Sequence, residues 1–473
     1  MASTVPSAPA SWVAYRHRVE ALKAQYEAIP AGDPVRLAKR TSNLFRPRAR
    51  STRPGLDVAA FDGVIEVDPD ARTADVQGMT TYEHLVDATL RHGLMPLVVP
   101  QLKTITLGGA ITGLGIESSS WRSGMPHESM LELDILTGDG RILTATPDGE
   151  HADLFFGFPN SYGTLGYALR VKIELEPVRP FVHLRHVRFE SIRDLVPVLS
   201  EVCESGAFHG ETVAFVDGAV FGPDECYLVL GSWADTAPEV SDYTWTEIYY
   251  RSIQHRSEDW LTVRDYLWRW DTDWFWCSRA FGVQRPWVRR LLGPSRLRSD
   301  TYWKIMALED RYHVKARIDR RRGLPERENV IQDIEVPVSR LAEFVEGFER
   351  EVPILPFWLC PLRARRPLPS SGGPAPEPPT WDLYTMDPSE LYVNVGFWSS
   401  VALTPGMDPA HHNRWVEDEV ERLGGRKSLY STAFYDEERF WRLYNGPVYR
   451  KLKEAYDPGG RLLDLYAKCV AGR

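Results

Sequence analysis

The chain has 473 residues, a formal net charge of −9 at pH 7, and 43% hydrophobic and 26% charged residues. This length is more than one hydrophobic core usually spans and predicts about two or three domains. The acidic balance argues against nucleic acid as a partner, because phosphate binding needs a basic face. The five cysteines form no Cys-x-x-Cys pair, so we predict no metal site and no disulfide framework, and we expect a reducing compartment.

The N-terminus and the apolar runs indicate a cytoplasmic protein. Residues 1–11 are small and proline-containing, without the basic region and apolar core of a signal peptide. No apolar run reaches the roughly 18 residues that a transmembrane helix needs. We therefore predict a cytoplasmic protein without a transmembrane segment.

A helical arm and a cation-rich segment open the chain. Apolar residues recur at helical spacing over residues 12–29, so residues 1–30 are predicted to form an N-terminal arm. The centre of the cation-rich segment 35–50 is formed by Lys39, Arg40, Thr41, Ser42 and Asn43. This is either a basic surface loop or a turn whose cations, hydroxyls and N–H groups meet a phosphate. The residues alone leave both interpretations open.

Short strands and one helix are predicted next. Alternating polar and apolar residues indicate strands over 64–68, 73–78, 96–100, 130–136 and 141–146. Thr80 is predicted to cap a helix that runs to residue 92, with Glu83 completing a capping box and Gly93 ending the helix.

Residues 107–127 are the stretch most suited to a ligand. They include Gly108, Gly109, Gly113 and Gly115, followed by Ser118, Ser119 and Ser120. Glycine lets the backbone approach a ligand closely, and hydroxyl and N–H groups suit an anionic ligand. Apolar residues between the glycines argue against a flexible linker, so we interpret the stretch as a cofactor cradle. Gly163 and Gly166 mark a second place where the backbone would press against a flat ligand.

The second half of the chain mixes strands and helices without a fixed repeat. Strands are predicted over 182–189, 211–216, 331–337 and 391–396, and helices over 192–203, 339–349 and 411–423. Residues 242–293 are extremely aromatic, which suggests an apolar pocket, although packed aromatic cores are common. Residues 364–379 are rich in proline, glycine and serine and predict a mobile loop. These patterns predict an α+β protein with a domain boundary near residue 178.

The glycine stretch, residues 153–175 and the preceding strands together resemble the FAD-binding domain of the vanillyl-alcohol-oxidase (PCMH-type) superfamily. Gly108-Gly109 followed by Gly113, and Asp153-Leu-Phe followed by Gly163-x-x-Gly166, match its pattern. The resemblance implies a two-lobed PCMH-type FAD-binding domain at 31–178 and an α+β substrate or cap domain at 179–473. A Rossmann fingerprint, a P-loop and a G-x-S-x-G elbow are all missing from the sequence.

The same resemblance implies which residues bind FAD. They are Lys39, Arg40, Thr41, Ser42, Asn43, Thr106, Gly108, Gly109, Gly113, Gly115, Ile116, Glu117, Ser118, Ser119, Ser120, Gly163 and Gly166. The superfamily's usual first loop, Arg-Gly-Gly-Gly-His, carries a histidine for covalent flavin. Residues 39–46 stand in its place without a histidine, so noncovalent FAD is expected.

Within the superfamily, the segment Thr106-x-Gly-Gly-x-x-x-Gly-x-Gly-Ile-Glu-Ser-Ser-Ser120 resembles the sterol Δ24-reductase (Diminuto/Dwarf) branch. Residues 356–361, 390–396 and 440–452 resemble the C-terminal half of that branch. Residues 36–48 and 273–282 resemble its bacterial members, which reduce the methylene branch of 10-methylenestearoyl lipids to a methyl branch.

This resemblance implies FAD-dependent reduction of an isolated C=C bond in a lipid or fatty-acyl chain, with NADPH as the expected electron donor. A sterol Δ24-type reductase, an alcohol or lactone oxidase, and a non-enzymatic flavin-domain scaffold remain as alternatives. A lipid methyltransferase as a partner and peripheral contact with a membrane are expected from the nature of the substrate.

An isolated alkene has no carbonyl to accept hydride, so its reduction needs a positioned acid. Aromatic faces would stabilise the positive charge that develops on carbon. Four residues are candidates for the acid: Glu117, His127, Asp273 and Tyr435. Each has a structural alternative in loop hydrogen bonding, packing or helix capping.

Overall fold

The structure is a computed structural model that describes residues 10–38, 45–46, 55–302, 304, 323, 325–365 and 379–472, with the backbone alone for residues 280 and 281. It confirms the expected α+β class: the described residues form two large antiparallel sheets, one in each domain, and two small two-stranded sheets, β1-β2 and β10-β11. The cation-rich centre predicted at 39–43 lies outside the described residues, as does most of the loop predicted at 364–379.

The strands are β1 Leu37–Ala38, β2 Leu56–Asp57, β3 Val64–Asp68, β4 Thr73–Gln77, β5 Leu94–Pro96, β6 Met130–Leu136, β7 Ile142–Ala145, β8 Tyr167–Pro177, β9 Phe181–Phe189, β10 Ala207–Phe208, β11 Glu211–Thr212, β12 Phe215–Gly222, β13 Glu225–Ala234, β14 Glu258–Thr262, β15 Arg327–Pro337, β16 Phe357–Leu362, β17 Tyr392–Ala402 and β18 Arg426–Lys427.

The helices are α1 Trp12–Glu27, α2 Tyr82–Thr89, α3 Leu107–Thr112, α4 Ser120–Ser123, α5 Ala152–Gly157, α6 Ile192–Ser205, α7 Tyr249–Ser252, α8 Val263–Leu267, α9 Pro286–Leu292, α10 Leu341–Glu351, α11 His411–Arg422, α12 Glu437–Leu443, α13 Gly446–Tyr456 and α14 Leu465–Cys469. No helix within the described ranges is both long and apolar enough to cross a membrane.

The sheet of the first domain has the strand order β3-β4-β8-β6-β7, and β5 pairs with the far end of β8. Its central strand, β8, ends at Pro177, and β9 starts the second sheet at Phe181. Helix α3 packs closely on this sheet, because a Cβ at Gly108 would lie only 2.7 Å from the carbonyl oxygen of Gly78. A glycine is therefore required at position 108 for packing.

The sheet of the second domain has the order β14-β9-β13-β12-β16-β17-β15-β18, with antiparallel neighbours throughout. One face is covered by α6, α10 and α11, and alternate residues of β17, such as Val395 and Phe397, belong to that apolar core. Successive side chains of a strand point to opposite faces, so Asn394, Gly396 and Trp398 lie on the face that looks toward the first domain.

The end of the chain returns to the first domain. A Cβ at Gly157 would lie only 2.2 Å from the side chain of Leu452 on α13, so this helix packs closely on position 157. The amine of Lys453 donates to the carbonyl oxygen of Thr164 at 2.8 Å, and the amine of Lys468 donates to that of Tyr162 at 2.7 Å. The segment that carries α13 and α14 thus fixes the turn around Tyr162.

Three local predictions need correction. The N-cap of α2 is Thr81, whose hydroxyl accepts from the N–H of His84 at 3.3 Å, whereas Thr80 is buried and its hydroxyl bonds to Gly63. The strand predicted at 96–100 lies earlier, at β5. The glycine stretch begins as helix α3 rather than as a loop. The left-handed stop at Gly93, with φ of 68°, is confirmed.

Candidate active site

A cleft separates the glycine stretch from the second sheet. It encloses about 1150 Å³ of space, part of it open to solvent. The first domain supplies Pro100, Gln101, Leu102, Ile105, Thr106, Gly109, Ala110, Thr112, Gly113, Leu114, Gly115, Ile116 and Tyr162, and the opposite wall is formed by Phe45, Asp333, Trp358, Trp398, Ser428 and Tyr430.

Five of the predicted cofactor residues line this cleft: Thr106, Gly109, Gly113, Gly115 and Ile116. The Thr106 hydroxyl caps α3 by accepting from the N–H of Gly109 at 3.2 Å. A Cβ at Gly115 would lie 2.9 Å from the Pro126 ring, so only glycine leaves this turn in place. Within the described residues, the backbone N–H groups of Leu114, Gly115 and Ile116 donate to no protein acceptor. They are suited to an anionic ligand such as a diphosphate.

The three predicted serines lie behind this wall and stabilise it. The hydroxyls of Ser118 and Tyr266 are hydrogen bonded at 2.7 Å, and Ser119 donates to the carbonyl oxygen of Leu97 at 2.7 Å. The Ser120 hydroxyl accepts from the N–H of Glu117 at 3.0 Å. These hydroxyls are therefore already used within the protein.

The other predicted glycines also support the wall from behind. Gly108 packs on Gly78, as described above. Gly163 and Gly166 have φ of +75° and +148°, and a Cβ at Gly166 would lie 2.7 Å from the carbonyl oxygen of Leu136. They shape the turn that follows Tyr162, and it is Tyr162 itself that reaches the cleft.

Residues 45–46, which belong to the cation-rich segment, lie beside the cleft. The N–H of Phe45 donates to the carbonyl oxygen of Tyr430 at 2.9 Å. Arg46 is buried, its guanidinium lies 4.9 Å from the centre of the Tyr162 ring, and its Nη1 donates to the carbonyl oxygen of Leu429 at 2.5 Å. The segment therefore reaches the boundary between the domains at this cleft.

Glu117 takes part in a buried ion-pair bridge between the domains. Arg269, whose side chain is fully buried, donates to Glu117 at 2.6 Å and to Asp217 at 2.8 Å. The Arg269 guanidinium also stacks on Tyr266, 4.1 Å from the ring centre. Asp217 in turn accepts from the indole N–H of Trp358 at 3.3 Å. Glu117 thus lies behind the wall of the cleft and holds it against the second sheet.

The other three candidate acids also lie outside the cleft. His127 is fully buried against the edge of Trp381, and burial lowers its pKa to about 3, so it is neutral at physiological pH. Asp273 is fully buried, and burial raises its pKa to about 7. Tyr435 is buried beneath Arg439, and burial holds the pKa of its hydroxyl well above the usual range.

The aromatic segment 242–293 forms packing behind the cleft rather than its surface. No described residue of that segment lines the cleft. Phe275, which is fully buried, contacts Trp358 and Trp398 with ring centroids 5.3 Å and 4.4 Å apart. The segment therefore positions the two tryptophans that do line the cleft.

Asp333 is the carboxyl group that faces the cleft, and the sequence analysis missed it. It lies on β15, directly across from Gly396 of β17. Burial raises its pKa to about 7, although hydrogen bonding from Tyr430 and Asn394 acts in the opposite direction. The hydroxyl of Tyr430 accepts from the indole N–H of Trp398 at 2.6 Å. This arrangement holds a carboxyl that carries a proton near neutral pH against an aromatic wall.

A signal for this group was present in the sequence. Residues 331–337 read Ile-Gln-Asp-Ile-Glu-Val-Pro, with carboxyls at Asp333 and Glu335 on one face of the strand. Two acidic side chains on the buried face of a strand are unusual unless they are paired or protonated.

No cluster of potential metal ligands occurs among the residues that the structure describes.

Comparison with known proteins agrees with this geometry. Residues 13–146 match the model of an FAD binding domain, a range that begins within α1 and contains all the cleft-lining glycines. The sequence is 26% identical to a Delta(24)-sterol reductase of Arabidopsis thaliana over 461 residues, covering 91% of this chain and 79% of the relative. It is 26% identical to a Homo sapiens protein of the same name over 452 residues, covering 92% and 81%.

A shorter similarity is confined to one part of the chain. Cytokinin dehydrogenase 10 of Oryza sativa subsp. japonica is 34% identical over 113 residues, which are 24% of this chain and 20% of that protein. Together with the glycine-lined cleft, these similarities establish an FAD binding domain in the first half of the chain.

Proposed function

We propose that this FAD-dependent oxidoreductase reduces an isolated carbon–carbon double bond of an apolar lipid, with Asp333 as the acid. The observation that carries the proposal is the placement of Asp333. It is a carboxyl with a pKa near 7, and it faces the glycine wall across an aromatic cleft. Similarity to proteins named Delta(24)-sterol reductase over most of the chain supports the reaction class.

The residues of the cleft fit FAD. Gly109, Gly113 and Gly115 line the cleft at positions where a Cβ would press on neighbouring protein atoms. The N–H groups of residues 114–116, which have no acceptor among the described residues, would suit a diphosphate. When bound against these residues, FAD would supply the hydride for the reduction. Noncovalent binding is supported because the described lining residues include no histidine or cysteine.

The protein's own residues supply the proton and the environment. Asp333 donates its proton to the less substituted alkene carbon, because this places positive charge on the carbon that carries more alkyl groups. Trp358 and Trp398 present ring faces to that charge, each worth about 0.5–2 kcal/mol. Tyr430, held by Trp398, orients the carboxyl. With lipid bound against the aromatic side of the cleft, less water would reach the carbon that carries the positive charge and could otherwise capture it.

For the substrate we propose a methylene-branched fatty-acyl chain, with NADPH as the electron donor. The resemblance of residues 36–48 and 273–282 to bacterial reductases of such lipids supports this choice. The names of the relatives support a sterol side chain as the second candidate. Both substrates present an isolated alkene that needs the same acid.

We further propose that the protein takes this lipid from an anionic membrane surface. On helix α9, Trp287 is 62% exposed and Leu291 is 74% exposed. Because residues four apart lie on one helix face, these two side chains form a single apolar patch. Exposed Arg285, Arg290 and Arg296 flank them, a combination typical of interfacial helices on anionic lipid. Replacing Trp287 and Leu291 by serine should abolish co-sedimentation with phosphatidylglycerol vesicles. Replacing the exposed Leu463 should not, and vesicle binding that survives the double substitution would contradict this surface.

The proposed reaction can be tested with purified protein under anaerobic conditions. We expect NADPH-reduced protein to convert a methylene-branched phospholipid to the methyl-branched product. In D₂O, one deuterium should appear on the less substituted carbon, as measured by mass spectrometry. A sterol with a side-chain double bond is assayed in parallel to separate the two substrates. Oxidation of an alcohol or lactone, with no alkene reduction, would contradict the proposal.

A further inference from the structure

We propose that Asp333 is supplied with protons from behind the cleft, through Glu335 and Tyr384, from a small pocket beside Glu128. The inference rests on the proposed function, because each alkene reduced removes one proton from Asp333. The cleft side would then be closed by flavin and lipid, so the replacement proton needs another route. In that direction the structure places Glu335 two residues from Asp333 on β15, Tyr384 hydrogen bonded to Glu335, and a pocket that Tyr384 shares with Glu128.

The first link is between Asp333 and Glu335. They are alternate residues of β15, so their side chains share a face and their Cα atoms lie about 6.6 Å apart. Across the sheet, Glu335 faces Asn394 and Asp333 faces Gly396. Asn394 is fully buried, and its side-chain amide interacts with the Asp333 carboxyl. This amide thus acts on one carboxyl from the strand position opposite the other.

Glu335 has the properties of a proton carrier. It is fully buried, its Oε2 accepts a hydrogen bond from the hydroxyl of Tyr384, and its Oε1 has no partner in the described part of the chain. Among the described residues no cation pairs with it, and an unpaired buried carboxylate is costly. Burial, with Asp333 nearby, raises its pKa to about 8. Tyr162 also interacts electrostatically with it.

The second link leads from Tyr384 to the outside. Tyr384 lines a small pocket with Met125, Glu128, Thr380 and Trp381. Glu128 accepts from the N–H of Met125 at 2.9 Å and from that of Arg365 at 2.7 Å. Burial raises the pKa of Glu128 to about 7, and the residue is 8% exposed. This pocket therefore holds a carboxyl with a raised pKa and slight exposure to solvent.

The proton balance is closed at each turnover. Asp333 gives its proton to the alkene carbon and becomes a carboxylate. Glu335 then protonates Asp333, and the Tyr384 hydroxyl passes a proton to Glu335 as it receives one from the pocket. No electrons move along this line, and one proton from solvent is consumed for each double bond reduced.

The test separates the first turnover from the steady state in Glu335→Gln and Tyr384→Phe. We expect a normal first turnover, because Asp333 already carries a proton. The steady-state rate should fall by about 10²-fold, the lower end of what a positioned proton donor contributes. Tyr444→Phe is the matched control, because Tyr444 is a buried tyrosine whose hydroxyl bonds to a backbone carbonyl oxygen.

A second readout needs no turnover. Infrared spectra in H₂O and D₂O should show a protonated carboxyl band that is lost in Glu335→Gln at pH 7. Unchanged steady-state rates in both variants, or no such band, would overturn the proton route while leaving the reaction in place. Absence of even a first turnover in the unaltered protein would overturn the proposed function and the route together.

Discussion

Gly396 lies directly across from Asp333 on the neighbouring strand, and a Cβ at Gly396 would come within 2.5 Å of a carboxylate oxygen of Asp333. The Asp333 carboxyl therefore occupies space that any other residue at position 396 would fill. Backbone φ does not require this glycine, because Gly396 is not among the residues with positive φ. The space for the acid is thus built into the sheet itself, and the next two predictions depend on that acid.

Replacing Asp333 by asparagine should lower the rate of alkene reduction by about 10²–10⁴-fold, the contribution of a positioned general acid. FAD binding, and reduction of the bound flavin by NADPH, should be unchanged. Asp333 lies across the cleft from Gly109, Gly113 and Gly115 and is not part of the wall that they form. The matched control is Asp273→Asn, which alters a carboxyl with a similarly raised pKa that lies outside the cleft. Equal losses in the two variants would show that Asp333 is not the acid.

The rate of alkene reduction should fall as the pH rises through about 7. Burial raises the pKa of Asp333 to about 7, and only the protonated form can donate. The logarithm of kcat/KM should therefore be flat below pH 6 and decline above pH 8, with a slope of about −1 for loss of one proton. A profile that rises with pH over this range would indicate a base in place of the acid.

The free energy of unfolding should fall as the pH rises, and this fall should be smaller in Glu335→Gln. A free glutamate has a pKa of about 4.3, and burial raises that of Glu335 to about 8. Its contribution to stability is therefore fully present below pH 4 and is lost as the pH rises toward 8. Each unit of difference corresponds to about 1.4 kcal/mol.

Denaturant unfolding at pH 5 and pH 9 measures this effect. Because Asp333, Asp273 and Glu128 are common to both proteins, the difference between their pH slopes isolates Glu335. A parallel pH dependence in the two proteins would show that Glu335 is ionised in the folded state.

Replacing Gly115 by alanine should weaken FAD binding. The new methyl group would lie 2.9 Å from the Pro126 ring and 3.2 Å from the Pro100 ring, and rigid rings do not yield easily. Overpacking costs about 1–3 kcal/mol, which corresponds to about 5- to 150-fold in the dissociation constant. Flavin fluorescence titration measures this constant. Gly459→Ala is the control, because its nearest neighbour would be 3.6 Å away in an exposed turn.

Replacing Arg269 by methionine should lower the free energy of unfolding by about 3–5 kcal/mol, because two buried carboxylates lose their common partner. Chemical denaturation with FAD-free protein measures the loss. Adding Glu117→Gln and Asp217→Asn should recover most of it, since no uncompensated charge then remains. A loss that persists in the triple variant would indicate that packing of Arg269 on Tyr266 matters more than charge.

The sequence by itself determined the fold class and much of the glycine-lined side of the cleft. The glycines at 109, 113 and 115 and Thr106 lie within ten residues, so local backbone geometry is enough to bring them to one surface. Periodicity located most strands and helices, although Thr81 rather than Thr80 caps α2 and the glycine stretch begins as α3. At such positions neighbouring residues can play the same local role, and packing chooses between them.

Only the tertiary structure decided which carboxyl faces the cofactor wall. Glu117 was the candidate nearest to the glycines in sequence, but Arg269, 152 residues away, pairs with it behind the wall. Asp333 was recognisable only as a polar residue in a strand. Which face of that strand looks toward the first domain depends on the helices that cover the other face. Proton donation depends on burial and charge in three dimensions, and these arise from contacts between segments far apart in the chain.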